Sequence, residues 1–156
     1  SELFNESIED IFPSWVDDDS WVIGATKKTI KGFPATPSFY EDFVPDYETV
    51  EEFGKDLLYK MHQLDEDLLE VIKPALKNWE VDRVAILDMI MLKMAICEFL
   101  HFPTIPTKVT INEYIDVSKM YSTPKSKDFI NGILDRLLKK LIKDGKIDKQ
   151  GRGLKS

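Results

Sequence analysis

The feature that most constrains this chain is the run VAILDMIMLKMAICEFLHF, residues 84–102. Drawn as a helix, it carries apolar side chains on nearly every side. A helix of that kind has no face to give to water and must be surrounded by others. The run therefore predicts an all-α bundle built around a buried central helix. Asp88, Lys93, Glu98 and His101 interrupt it, so it does not read as a membrane span, which needs about 20 predominantly apolar residues with few or no charges. Asp82 stands where it can cap the start of this helix. Cys97, the single cysteine, lies inside the run and reads as a small buried hydrophobe. No disulfide can form within the chain, which suits a cytoplasmic location.

Helical periodicity continues on both sides of the central run. Thr49 with Glu52 makes a capping-box pattern ahead of Val50, Phe53, Leu57, Met61 and Leu64. Asp65 can cap a following helix bearing Leu68, Leu69, Ile72, Leu76 and Trp79, which Pro74 must kink or restart because it removes a backbone donor. After the two-proline loop HFPTIPTK, a helix starts at Thr107 or at Thr110. A last helix then starts near Thr123-Pro124 or Ser126, with apolar residues at 129, 130, 133, 134, 137, 138, 141 and 142.

Residues 1–48 are an acidic segment in which SIEDIF and DDSWVIGATKKTIKGF look helical, the latter with Asp17, Asp18 and Asp19 at its start. A three-proline bend, GFPATPSFYEDFVPDYET, follows. The expected organisation is an N-terminal helical segment and linker at 1–48, a helical domain at 49–147, and a disordered basic tail at 148–156. About six or seven helices are expected in all.

Charge divides along the chain. Residues 1–118 hold 10 Lys/Arg against 24 Asp/Glu, and residues 119–156 hold 11 against 4. An acidic and a basic surface with different partners would follow. His62 and His101 have no ligand cluster beside them, no Gly-rich phosphate loop occurs, and no nucleophile signature is present. The chain therefore reads as a binding protein, not an enzyme, with no metal and no cofactor.

Three ordered blocks carry a family resemblance: IKPALKNWEVDRVAILDMIMLKMAICEF, IPTKVTINEYIDVSKMYS and SKDFINGILDRL. From about Phe53 to Leu141 the chain resembles the NusB family of bacterial transcription antitermination factors. The resemblance implies two small helical subdomains around the central helix. It implies binding of the single-stranded boxA element of ribosomal RNA transcripts together with a small-subunit ribosomal protein acting as NusE, in the RNA polymerase antitermination complex, with no membrane involved. Carried to matching positions, it makes Lys93, Lys125, Lys127, Phe129, Asn131 and Gly132 RNA-binding residues, with Lys119 a looser addition, and makes Asp82 and Asp88 the acidic contacts to the partner. The family's usual arginine-rich opening helix has no counterpart, since residues 1–12 contain no Lys or Arg. The chain is expected either to be a piece lacking that helix or to bind RNA differently. Two alternatives stand beside this reading: a NusB-like RNA-docking domain of a ribosomal RNA methyltransferase, and a helical interaction module that has lost RNA binding.

Gly132 follows Asn131 inside the last helix, on the side away from the apolar stripe. A helix-interior glycine costs about 1 kcal/mol against alanine, which predicts a close neighbour at its backbone, either a second helix or a ligand.

Overall fold

The computed structural model describes residues 7–8, 15–34, 38–44, 46–76 and 81–149. Among these residues there are six α-helices and no strand: α1 Trp15–Lys31, α2 Tyr47–Gln63, α3 Asp65–Ile72, α4 Ile86–His101, α5 Thr107–Tyr121 and α6 Ser126–Lys143. Short 3-10 turns occupy Phe39–Phe43, Lys73–Leu76 and Val81–Arg83. None of the described helices is long and apolar enough to cross a membrane. The chain divides into two compact units, Ser1–Glu51 and Glu52–Ser156.

In the first unit, Trp21 of α1 meets Phe43 edge-on with ring centroids 6.1 Å apart, and Lys28 Nζ lies 5.1 Å from the Phe43 centroid. The aromatic ring thus joins α1 to the 3-10 turn from two directions. Of the expected SIEDIF helix, only Ser7 and Ile8 fall within the described residues, and both are helical.

In the second unit, the expected central helix is realised as α4, with α3, α5 and α6 packed against it. Leu92, Ala95, Ile96 and Cys97 of α4 have no solvent exposure at all. They meet Leu68 and Ile72 of α3 and Ile130, Leu134 and Leu137 of α6 in one apolar cluster. Burying each large aliphatic side chain contributes about 1.5–3 kcal/mol, so this cluster is the main stabilising element. The polar interruptions of the run are accommodated individually. Glu98 is buried, with one carboxylate oxygen accepting from the Tyr114 hydroxyl and the other from Thr110 Oγ1 at 3.0 Å. The Tyr114 phenol is pushed well up, first by burial and then by that bond to Glu98. Burial likewise raises the Cys97 thiol to about 11.

Several helix starts differ from the sequence expectation. α2 begins at Tyr47, and its cap is Asp46, whose Oδ2 accepts from both Thr49 N–H (3.1 Å) and Thr49 Oγ1 (2.8 Å). The Thr49 hydroxyl that the capping box requires is thereby turned into a donor, and these bonds hold the Asp46 carboxyl below its usual range. Asp65 is the first residue of α3 and not its cap, which is Leu64. Asp82 does not cap α4. It lies in the 3-10 turn Val81–Arg83, and Ala85 holds the N-cap position. α5 takes the earlier of the two expected starts, Thr107. α6 begins at Ser126 with Lys125 at the N-cap.

The ends of these helices follow from local chemistry. Pro74 closes α3 by converting its continuation into the 3-10 turn Lys73–Leu76. Pro103 follows the C-cap of α4, Phe102, which has left helical geometry. α6 closes through Gly145 at φ 65°, with Lys146 N–H reaching Leu141 O at 2.9 Å, a bond pattern that needs a left-handed residue. The chain then runs back to α4, where Lys149 Nζ donates to the carbonyls of Glu98 and Phe102, both at 2.8 Å. Lys149 thus caps the C-terminal end of the central helix. Residues 150–156 lie outside the described residues.

Candidate nucleic-acid interface

The turn between α5 and α6 and the approach to α4 enclose an open groove of about 610 Å³. Three backbone segments build it. Arg83, Val84 and Ala85 come from the approach to the central helix, and Asp88 from its first turn. Thr123 and Lys125 come from the turn, and Ser126, Asp128, Phe129, Gly132, Ile133 and Arg136 from α6. The turn forms where it does because Ser122 is fully extended at the end of α5 and Pro124 cannot donate to a continuing helix.

Asp88 holds these segments together. The residue is only 5% exposed. Oδ1 accepts from Ser122 Oγ, and Oδ2 accepts from Ser126 Oγ at 2.8 Å. With its proton committed to Asp88, Ser126 Oγ accepts from Thr123 N–H at 3.3 Å and from Thr123 Oγ1 at 2.8 Å. One carboxylate on α4 thereby fixes the last turn of α5 and the first turn of α6. Two serines 34 and 38 residues away thus take Asp88 out of solvent.

The expected RNA-binding residues separate into groups. Lys125, Phe129 and Gly132 line the groove. Phe129 is half-buried and packs against the core while forming part of the wall. Lys127 and Asn131 are exposed on α6 but are not among the lining residues. Lys93 lies elsewhere on α4, its ammonium paired with Asp65, and Lys119 is paired with Asp116 one turn before it. Of the two acids, Asp82 lies in the turn that leads into the groove.

Gly132 has open space where a Cβ would stand, with no atom within 4 Å. The expectation of a second helix at its backbone is therefore not met. The glycine faces the groove. Two cations escaped the sequence reading. Arg83 follows Asp82 in the first of the three blocks. Arg136 lies one turn beyond Gly132, and its Nη1 donates to Ala75 O at 2.6 Å. The helical period places Arg136 on the side of Gly132, and that signal was available in the sequence.

Chemically, the groove combines guanidinium and ammonium groups at its rim, an aromatic wall, a helix N-terminus and a floor of hydroxyls around a carboxylate. Cationic rims and helix N-termini suit phosphate, and aromatic walls suit unpaired bases. Asp128, in the first turn of α6, favours the helix dipole and opposes an anion there.

Comparison with known proteins agrees with this architecture. The NusB family profile matches residues 41–139. The transcription antitermination protein NusB of Salinibacter ruber is 39% identical over 103 residues, covering 66% of this chain and 64% of that protein. Its counterpart in Chloroherpeton thalassium is 39% identical over 118 residues, covering 73% of this chain and 54% of that protein. The Clostridium botulinum counterpart is 36% identical over 104 residues, covering 64% and 78%. The chain thus spans less than two thirds of the length of the first two. Among solved structures, T. maritima NusB superposes with a TM-score of 0.57 at 30% identity, over 65% of this chain and 73% of that one. With the profile spanning the helices that build the groove, the chain belongs to the NusB family.

Proposed function

We propose that this chain is a transcription antitermination factor that binds a single-stranded boxA-like RNA together with a ribosomal protein acting as NusE, within the RNA polymerase antitermination complex, in support of ribosomal RNA transcription. The role is one of binding, without covalent chemistry. The observation that carries the reading is the groove, which brings Lys125, Phe129 and Gly132 together with Arg83 and Arg136. Phosphate neutralisation by such cations supplies much of the affinity for RNA, and the half-buried ring supplies a stacking surface. The partner's contact is supported by the apolar side chains at the start of α4. Ile86, Leu87 and Ile90 are exposed there, Ile86 by 79%, next to the turn holding Asp82.

The test is fluorescence anisotropy of a labelled boxA-like RNA, with and without the ribosomal protein, at two salt concentrations. Binding that tightens with the partner and weakens with salt is expected. RNA indifference under all four conditions would overturn the reading. It would favour a helical interaction module instead, for which the pairing of Lys93 and Lys119 with carboxylates already speaks.

A further inference from the structure

The carboxylate at the floor of the groove is only partly used. An ionised carboxylate offers about four lone-pair positions. On Asp88 one position of each oxygen is taken by a serine hydroxyl. The same residue lines the groove, beside Ser126 and Phe129. A nearly buried anion at the edge of an open cavity gains most from a ligand that brings further donors to it.

We propose that Asp88 reads a nucleobase entering this groove, and that the base it selects is guanine. The inference rests on the RNA-binding reading above. Guanine alone among the four bases presents two adjacent N–H donors, N1–H and the 2-amino group, on its Watson–Crick edge. Their side-by-side arrangement matches the two oxygens of one carboxylate, as the paired N–H groups of a guanidinium do. Uracil sets its single N–H between two carbonyls. Adenine and cytosine set their amino groups beside a ring nitrogen acceptor. Each of these three brings a lone pair toward the anion.

Unstacked bases in single strands are read on these edges and supported by aromatic rings, and Phe129 stands in the wall of the same groove. The two serine bonds fix the plane of the carboxylate before any base arrives, which reduces the ordering cost of recognition. Lys125 and Arg83 at the rim offset the repulsion between Asp88 and the phosphates that accompany the base.

The experiment compares equal-length oligo(U) RNAs carrying one central guanine, inosine or adenine, by anisotropy with the full chain, with and without the ribosomal protein. Inosine keeps N1–H and lacks the 2-amino group. Guanine is expected to bind roughly tenfold more tightly than inosine, the scale of one hydrogen bond to a charged group. Asp88→Asn should erase that difference. A uniform loss across all three RNAs in Asp88→Asn would mean that Asp88 only braces the turn, and would overturn the proposal. Equal affinity of the unaltered chain for all three would also overturn it while leaving RNA binding in place. No binding to any of them, with the partner present, would remove the RNA-binding reading itself. Should Asp88→Asn fail to fold, Ser122→Ala keeps the carboxylate and removes one brace. Its guanine-to-inosine ratio is expected to shrink as the carboxylate plane loosens, and an unchanged ratio on a folded variant counts against the proposal.

Discussion

Lys93 of α4 donates its ammonium to Asp65, the first residue of α3, and only 13% of the lysine side chain remains exposed. The sequence resemblance makes this lysine an RNA contact, whereas the fold gives its charge to a carboxylate. The two roles compete for one ammonium group. Asp65→Asn should release Lys93 toward phosphate. The expected outcome is tighter RNA binding and a salt dependence steeper by about 0.7 in log–log slope, the single-strand value for one phosphate neutralised. Stability should fall by at most about 1 kcal/mol, since the Asp65 end of the pair is in water. Salt titrations of RNA affinity and urea unfolding measure the two effects.

The buried Glu98 makes Tyr114 a structural residue. Tyr114→Phe keeps the ring and deletes the hydroxyl that donates to Glu98. The carboxylate would then remain buried with only Thr110 donating from α5. A loss of about 1.5–3 kcal/mol is expected, the range for a hydrogen bond to a charged group. Urea unfolding followed by circular dichroism checks this, and an unchanged midpoint would contradict it.

Cys97 links stability to alkaline pH. Burial raises its thiol from 9.0 to about 11, so the folded state keeps the proton where the unfolded state releases it. Stability from this group is complete below pH 9 and is lost as pH rises from 9 toward 11. Tyr114 acts in the same direction. Lys149 acts oppositely, since burial lowers its ammonium from 10.5. Cys97→Ala should flatten the fall of the melting temperature between pH 8 and pH 10 relative to the parent. At neutral pH the folded thiol should resist alkylation and react only on unfolding.

Gly132 separates stability from binding. A Cβ there meets nothing within 4 Å, so Gly132→Ala should stabilise the chain by up to about 1 kcal/mol through helix propensity alone. Gly132→Leu should also leave the helical circular dichroism signal intact while filling the groove and weakening RNA binding. Loss of the helical signal in Gly132→Leu would contradict this assignment.

The helices were readable wherever their signal was periodic. α4 follows from its all-round apolarity, and α6 from the stripe that became Ile130, Ile133, Leu134, Leu137 and Leu141 in the core. Helix starts were less so, because a nearby Ser, Thr or Asp need not be the residue that takes the cap position: Ala85 and Leu64 hold it for α4 and α3. Asp46 prevailed over Thr49 by accepting two bonds from it. Lys125, Phe129 and Gly132 came from the family resemblance, and their spacing of four and three residues along a helix is what sets them in one groove. The burial of Asp88 was not, since an acid in an apolar helix reads the same whether water meets it or two hydroxyls from a distant turn do. The pairing of Lys93 with Asp65, 28 residues apart, is hidden for the same reason.

The bond from Lys149 to the end of α4 also bears on the order of assembly. During synthesis the central helix leaves the ribosome long before the residue that seals its last carbonyls at Glu98 and Phe102. Until the chain has grown about fifty residues further, those two carbonyls have only the backbone N–H groups of Phe102 and Ile105 at 3.2 Å as protein donors. The last turn of the central core element thus gains its side-chain cap only when the domain is nearly complete.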